Sequence, residues 1–199
     1  MTELPDLSRL PGGLVAPSDD GAARHLPGLP LPALALPSTA GGLVDLATLP
    51  AARTVIYAYP MTGEPGVALP PGWDELPGAR GCTVEACSFR DHRAELATLG
   101  VEVFGLSTQT TEYQRRMAER LHLPFAVLSD GELRLTRALR LPTMEVGDMT
   151  LLRRLTLVVR AGSIEHAIYP VFPPDQAAGE VLALLRANPL AQRPAAAER

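Results

Sequence analysis

Two cysteines, Cys82 and Cys87, are the residues of this chain whose type and spacing most readily do chemistry. A single pair in 199 residues is too sparse for a disulfide scaffold, and in a reducing compartment it points to redox chemistry or to a metal. Cys82 sits at the entrance of a predicted helix, Thr83 to Leu99, with Phe89, Leu96 and Leu99 on its apolar side and Gly100 at its C-terminal stop. A sulfur in that position faces free backbone N–H groups and the positive end of the helix dipole, which favours the thiolate over the thiol. Ionisation alone gains at most ~30-fold in rate, or ~2 kcal/mol, because a free thiol is already a few per cent thiolate at pH 7. Any larger acceleration must come from donors fixed on a developing charge.

Five residues along an ideal helix give a rise of ~7.5 Å and a turn of ~140°, so the two Cα atoms would lie ~8.7 Å apart. A disulfide requires ~6.8 Å or less, and a pre-formed structural bridge is therefore a poor reading. A pair that bonds only after the first helical turn unwinds suits a cycle in which Cys82 is oxidised to a sulfenic acid and then captured by Cys87.

The elements that must position these thiols follow from the pattern on either side. Residues 1–27 are rich in Pro, Gly and Asp without periodicity and read as an extension lying loosely on the surface; 28–190 read as one domain and 191–199 as a tail. Ala33 to Leu36 and Leu43 to Leu46 predict a short hairpin, and Thr54 to Tyr59 a central strand. Met61 to Gly81 is a long loop with five Gly, four Pro and Trp73 as an anchor. Beyond the predicted helix, strands at Val101 to Leu106 and Phe125 to Leu128 alternate with helices opening on capping boxes, Thr111 with Gln114 and Ser129 with Glu132. Strands Leu155 to Val159 and Ile164 to Tyr169 and a helix from about Asp175 to Ala187 close the chain. This order predicts an α/β thioredoxin-like fold, a central mixed β-sheet flanked by helices on both faces.

Composition removes several function classes. A formal charge of −4 gives no positive field for nucleic acid, and the absence of Lys excludes Schiff-base chemistry and lysine-dependent P-loops. With no signal-like start and no run of 18 apolar residues, the expectation is a soluble, cytoplasmic protein with no membrane partner.

The stretch Gly81-Cys82-Thr83-Val84-Glu85-Ala86-Cys87-Ser88-Phe89-Arg90-Asp91 resembles the active-site helix of Q-type peroxiredoxins, the bacterioferritin-comigratory group. The resemblance extends through VEVFGLS at 101–107, FAVLSD at 125–130 and RLTLVV at 154–159. It implies a thiol peroxidase acting on hydrogen peroxide and alkyl hydroperoxides, with Cys82 peroxidatic, Cys87 resolving and Arg154 positioning the peroxide. It further implies a thioredoxin-like reductant, a monomer or weak dimer, and no metal or organic cofactor. By residue type alone, Arg154 would be an arginine in a surface ion pair. The family's loop usually reads PxxxTxxC, whereas here Pro60 is separated from Cys82 by the long insertion and Ala79 stands in the threonine's place. Thr62 could fold back to supply that hydroxyl and Arg80 could add positive field; with Pro60 and Gly81 they form the candidate peroxide-binding set.

Three other classes use similar residues. A thiol–disulfide oxidoreductase normally carries CxxC and, in thioredoxins, a proline where Arg154-Leu155-Thr156 stands. A metal-binding module would need His92 to converge with both thiols, which its position on the same predicted helix disfavours. A non-enzymatic redox sensor would use the same oxidation chemistry without turnover.

Overall fold

The computed structural model describes residues 6–49 and 52–190, so the tail at 191–199 and the first five residues of the predicted extension lie outside it. The chain begins with β1 (Ala35–Pro37) and β2 (Leu43–Asp45), which pair as the expected hairpin with Leu36 opposite Val44. Next come β3 (Arg53–Ala58), α1 (Cys82–Asp91), α2 (Arg93–Thr98), β4 (Val101–Ser107), α3 (Thr111–Arg120) and β5 (Val127–Ser129). They are followed by α4 (Arg134–Leu139), β6 (Thr143–Val146), β7 (Met149–Leu152), β8 (Leu155–Arg160), β9 (Ser163–Ile168) and α5 (Ala177–Ala187).

The main sheet has the order β5-β4-β3-β8-β9, with β3, β4 and β5 parallel and β8 and β9 antiparallel to their neighbours. β3 is central, as its β-branched and aromatic run predicts, and all six of its residues are buried. Successive side chains of a strand point to opposite faces, and both faces here are covered. Val55 and Tyr57 pack with Phe89 of α1, Met117 of α3 and Val181 of α5, while Ile56 and Ala58 pack with Leu36, Leu135 and Leu139 on the other side. This is the thioredoxin-like fold.

Local structure departs from the sequence reading at several points. The single helix predicted from Thr83 to Leu99 is divided at His92, whose ring Nδ1 and backbone N–H both meet the carbonyl of Ser88. The first capping box is shifted by one residue: Thr110 accepts from the N–H of Tyr113, and Gln114 turns into the core. The second does not form, because Ser129 donates its hydroxyl to the carbonyl of Gln109 and α4 starts only at Arg134. There the Asp130 carboxylate accepts from the N–H groups of Leu135 and Thr136. The hairpin of β6 and β7 across Gly147-Asp148 was not anticipated, although a Gly-Asp pair between two apolar-alternating runs is a hairpin signal.

The end of the segment preceding the hairpin packs against the domain, while residues 6–22 are exposed or half-buried. Leu26 is fully buried and Ala23 nearly so, both in the cluster behind the sheet, and the N–H of Gly28 donates to the carbonyl of Ile164. The 61–81 insertion is held likewise, with Trp73 in a satellite cluster with Ala79, Val146 and Leu151. Leu26→Ala should destabilise the protein by about 2–5 kcal/mol, the cost of a cavity in a close-packed core. Urea denaturation would measure it, and a loss below about 1 kcal/mol would mean that this segment contributes no core.

Candidate active site

Gly81 caps the N-terminus of α1 with a φ of 103°, a conformation open to glycine and strained for other residues. A second constraint acts at the same position: a Cβ there would lie 2.4 Å from Pro174 Cγ and 2.7 Å from Leu10 Cδ2. Cys82 is the first residue of the helix and only 3% exposed, and its thiol donates to the carbonyl of Ala79 at 3.5 Å.

Arg154, immediately before β8, reaches this sulfur. Because Ala58 pairs with Leu155 across β3 and β8, the end of β3 and the start of β8 meet at one edge of the sheet. The α1 entrance is fixed at that edge by Phe89, whose ring stacks on Tyr57 at 4.4 Å. Arg154 Nη2 is 3.1 Å from Cys82 Sγ and also meets the carbonyls of Gly78, Ala79 and Arg80 at 3.3, 3.3 and 3.1 Å. Its Nη1 donates to Glu85 Oε2 in an ion pair with side-chain exposures of 1% and 0%. The surface ion pair suggested by residue type alone is therefore not what Arg154 makes.

One guanidinium is thus shared between two acids. Burial pushes the Cys82 thiol up, Arg154 pulls it back, and the Glu85 carboxylate adds to the rise. Burial likewise pushes Glu85 up to about 7 against the pull of Arg154. Arg154 itself is depressed by burial but raised further by the two anions, and it stays charged. The two partners shift in ways that look contradictory, a guanidinium held charged beside a carboxyl held partly neutral. Both follow from one cation facing two buried acids in a space that favours a single anion. Oε1 of Glu85 has no hydrogen-bond partner among the described residues, which further disfavours its ionised form. Glu85 was missed as a site residue, although its position three residues after Cys82 puts both on one side of the helix.

The remaining predicted site residues divide. Thr62 and Gly81 line the small cavity at the sulfur, so Thr62 does fold back into the neighbourhood of Cys82. Its hydroxyl lies 3.3 Å from Gln109 Oε1, and Gln109 also accepts from the N–H of Thr62 and donates to its carbonyl. Gln109 is a second positioning residue that the sequence reading overlooked. Pro60 is buried and its carbonyl accepts from Ser107 Oγ, but it does not line the cavity. Arg80 also lines this cavity, while its guanidinium donates to the carbonyl of Asp6 at 3.0 Å and faces Asp74 at 3.3 Å.

Cys87 lies on the same helix, half-buried, and both cysteines are free. Burial raises its thiol, with Arg90 opposing. Among the described residues no group of three or more His, Cys, Asp or Glu side chains could hold a metal ion, and no helix is long and apolar enough to cross a membrane. A larger cavity of about 540 Å³, bounded by Met61, Gln109, Tyr113 and Met149, excludes the sulfur; thiol geometry rather than volume locates the site.

A buried sulfur at a helix start, beside a guanidinium on a thioredoxin-like sheet, is the kind of environment that tunes a cysteine for reactivity. A model of the Redoxin family matches residues 26–183. Peroxiredoxin Bcp of Escherichia coli (strain K12) is 36% identical over 101 residues, 51% of this chain and 55% of that protein. Peroxiredoxin Q, chloroplastic, of Sedum lineare is 30% identical over 156 residues, 78% of this chain and 75% of that protein. The chain spans about half the length of several of these curated relatives. The crystal structure of peroxidoxin BcpB from Mycobacterium tuberculosis superposes with a TM-score of 0.65 at 26% identity, covering 82% of this chain and 98% of that one. Xanthomonas campestris peroxiredoxin Q shares the fold, with a TM-score of 0.64 at 24% identity over 80% of this chain and 96% of its own. The chain belongs to the redoxin family, on its peroxiredoxin side, and resembles the Bcp and Q-type members.

An ionised Glu85 opposes ionisation of Cys82, so removing its charge should favour the thiolate. Glu85→Gln should move the pH profile of iodoacetamide alkylation at Cys82 to lower pH. An unmoved profile would mean that the carboxylate's charge does not act on the sulfur.

Proposed function

We propose that this protein is a thiol-dependent peroxidase in which Cys82 reduces a hydroperoxide, either hydrogen peroxide or an alkyl hydroperoxide. The observation that carries this reading is the Arg154 guanidinium 3.1 Å from the buried sulfur of Cys82. A planar fork of donors beside a nucleophilic sulfur at a helix start can hold peroxide oxygens in line with that sulfur.

In the first step the Cys82 thiolate attacks the nearer peroxide oxygen; the S–O bond forms as the O–O bond breaks. The electron pair leaves with the far oxygen, which takes the proton given up by the thiol and departs as water or an alcohol. Cys82 is left as a sulfenic acid. Arg154 and the N–H groups at the start of α1 stabilise the charge developing on the departing oxygen, the contribution that thiolate fraction alone cannot supply.

In the second step the Cys87 thiol attacks the sulfenic sulfur, forming the disulfide and releasing water. The first turn of α1 must unwind for this, since an intact helix holds residues five apart at ~8.7 Å and a disulfide needs ~6.8 Å or less. A thioredoxin-like dithiol then returns both cysteines to thiols by exchange through a mixed disulfide. The reading includes a monomer or weak dimer working in a reducing compartment such as the cytoplasm, with no organic cofactor or metal. Membership of the peroxiredoxin side of the family supports peroxide over a general disulfide exchange partner.

One equivalent of hydrogen peroxide should remove ~2 Da from the reduced protein within seconds by rapid-quench intact mass, the two hydrogens lost on forming a disulfide. Cys82→Ser should abolish the reaction, while Cys87→Ser completes one turnover and accumulates sulfenic or sulfinic acid. Equal loss of the first oxidation in both variants would reject these roles. Arg154→Ala should slow single-turnover oxidation of Cys82 by about 10²–10³, comparable to loss of a donor on a developing oxyanion. A change below about threefold would remove Arg154 from the chemistry, since that is within the range of a modest disturbance of packing.

A further inference from the structure

The N-terminal segment 6–17 crosses the mouth of the sulfur site and is tied down there at four points. Leu7 packs over Gly63 beside Leu69, Leu10 lies over Gly81, and Pro17 lies over Gly78, the two leucines being half-buried. The fourth tie is the carbonyl of Asp6, which accepts from Arg80. Arg80, 7% exposed, also faces Asp74 of the 61–81 insertion, so one guanidinium joins the N-terminal segment to the inserted loop. Beneath this cover, the cavity that touches Cys82 is walled by Leu7, Met61, Leu69 and Trp73 and has a volume of about 10 Å³. The neighbouring cavity at Arg154, walled in part by Pro17, is also about 10 Å³. Such a space holds the centre of about one water-sized molecule.

We infer that segment 6–17 and the insertion form a size-selecting roof, with Leu7 and Leu10 as specificity-determining residues that favour hydrogen peroxide over bulky hydroperoxides. This rests on Cys82 being the peroxide-reducing thiol. Hydrogen peroxide is little larger than the water the cavity accommodates, and Thr62, Arg80 and Thr83 bring polar groups to its wall beside the sulfur that Arg154 also meets. A hydroperoxide with an aromatic or branched body must place that body where Leu7 and Leu10 lie. It reacts only from the fraction of molecules in which the segment has lifted, and its apparent rate is scaled by that fraction. The ties are suited to lifting: two half-buried leucines, one proline contact and one hydrogen bond, with neither leucine in the main clusters.

The test is the double variant Leu7→Ala with Leu10→Ala in the full chain, with two independent readouts. One is the single-turnover oxidation rate with cumene hydroperoxide divided by that with hydrogen peroxide. The other is the labelling rate at Cys82 with pyrenyl maleimide divided by that with methyl methanethiosulfonate, the modified peptide being identified by mass. Both ratios should rise about tenfold, as the open fraction rises. An unchanged labelling ratio overturns the roof, whatever the peroxide rates do. An unchanged peroxide ratio beside a raised labelling ratio overturns substrate selection. A raised labelling ratio with no oxidation of Cys82 by either hydroperoxide overturns the selection together with the peroxidase reading, and so separates that failure from a failure of the roof.

Discussion

A buried guanidinium needs partners, and the site is built around those of Arg154, whose Nη atoms are paired while its Nε has no hydrogen-bond partner among the described residues. Its Nη atoms are directed at the Glu85 carboxyl, the Cys82 sulfur and three consecutive carbonyls from Gly78 to Arg80. Each contact fixes something else. The carbonyls set the path of the chain entering α1, Glu85 sets the rotation of the helix's first turn, and the sulfur is held where the cation can favour its ionised form. Losing the cation would leave Glu85 buried without its counter-charge, a costly arrangement in a medium of low polarity. Losing Glu85's charge would instead leave Arg154 facing Cys82 alone. The chemistry and the local fold therefore depend on the same ion.

The sheet makes that meeting unavoidable. β3 and β8 are antiparallel neighbours in the centre of the sheet, so the chain leaving β3 and the chain entering β8 lie at one edge. α1 is pressed on the same part of the sheet by the stacking of Phe89 on Tyr57. Cys82 and Arg154 are 72 positions apart in sequence and adjacent in space for that reason. Behind the site, Tyr59 donates to Gln114, which in turn donates to the carbonyls of Gln109 and Leu128. Gln109 then holds Thr62 by three contacts. This polar lattice positions the loop that leaves β3 without supplying charge.

What distinguishes this chain from the family's usual loop is the material placed over the thiol. The insertion folds around Trp73 and packs on the hairpin of β6 and β7, and the N-terminal segment passes over its end. At Gly63, Gly78 and Gly81 that segment lies so near that an added Cβ would touch it, and at Gly81 a side chain would collide with it. Under the proposed peroxidase reading, cover held by a few half-buried contacts would keep bulk water from the sulfur while leaving a route for a substrate.

Periodicity and capping, being local signals, were enough in the sequence for most of the strands and helices in order, the central place of β3 and the helix-entrance position of Cys82, but not for the β6–β7 hairpin or the break at His92. It also placed Arg154 at the start of β8, although only a family resemblance suggested what that residue faces. Tertiary structure decided the rest, for reasons that periodicity does not encode. The α4 start moved to Arg134 because Ser129 found a long-range partner in Gln109 and Asp130 took over the helix N–H groups. Thr62 and Arg80 came to line the cavity at the thiol because the insertion doubles back, with the Arg80 guanidinium held there by Asp6 and Asp74. Glu85 became a buried acid because the cation that pairs with it, Arg154, comes from the chain entering β8, 69 residues away. Burial and the convergence of distant charges belong to the folded chain, and the behaviour of the Cys82 thiol is set there.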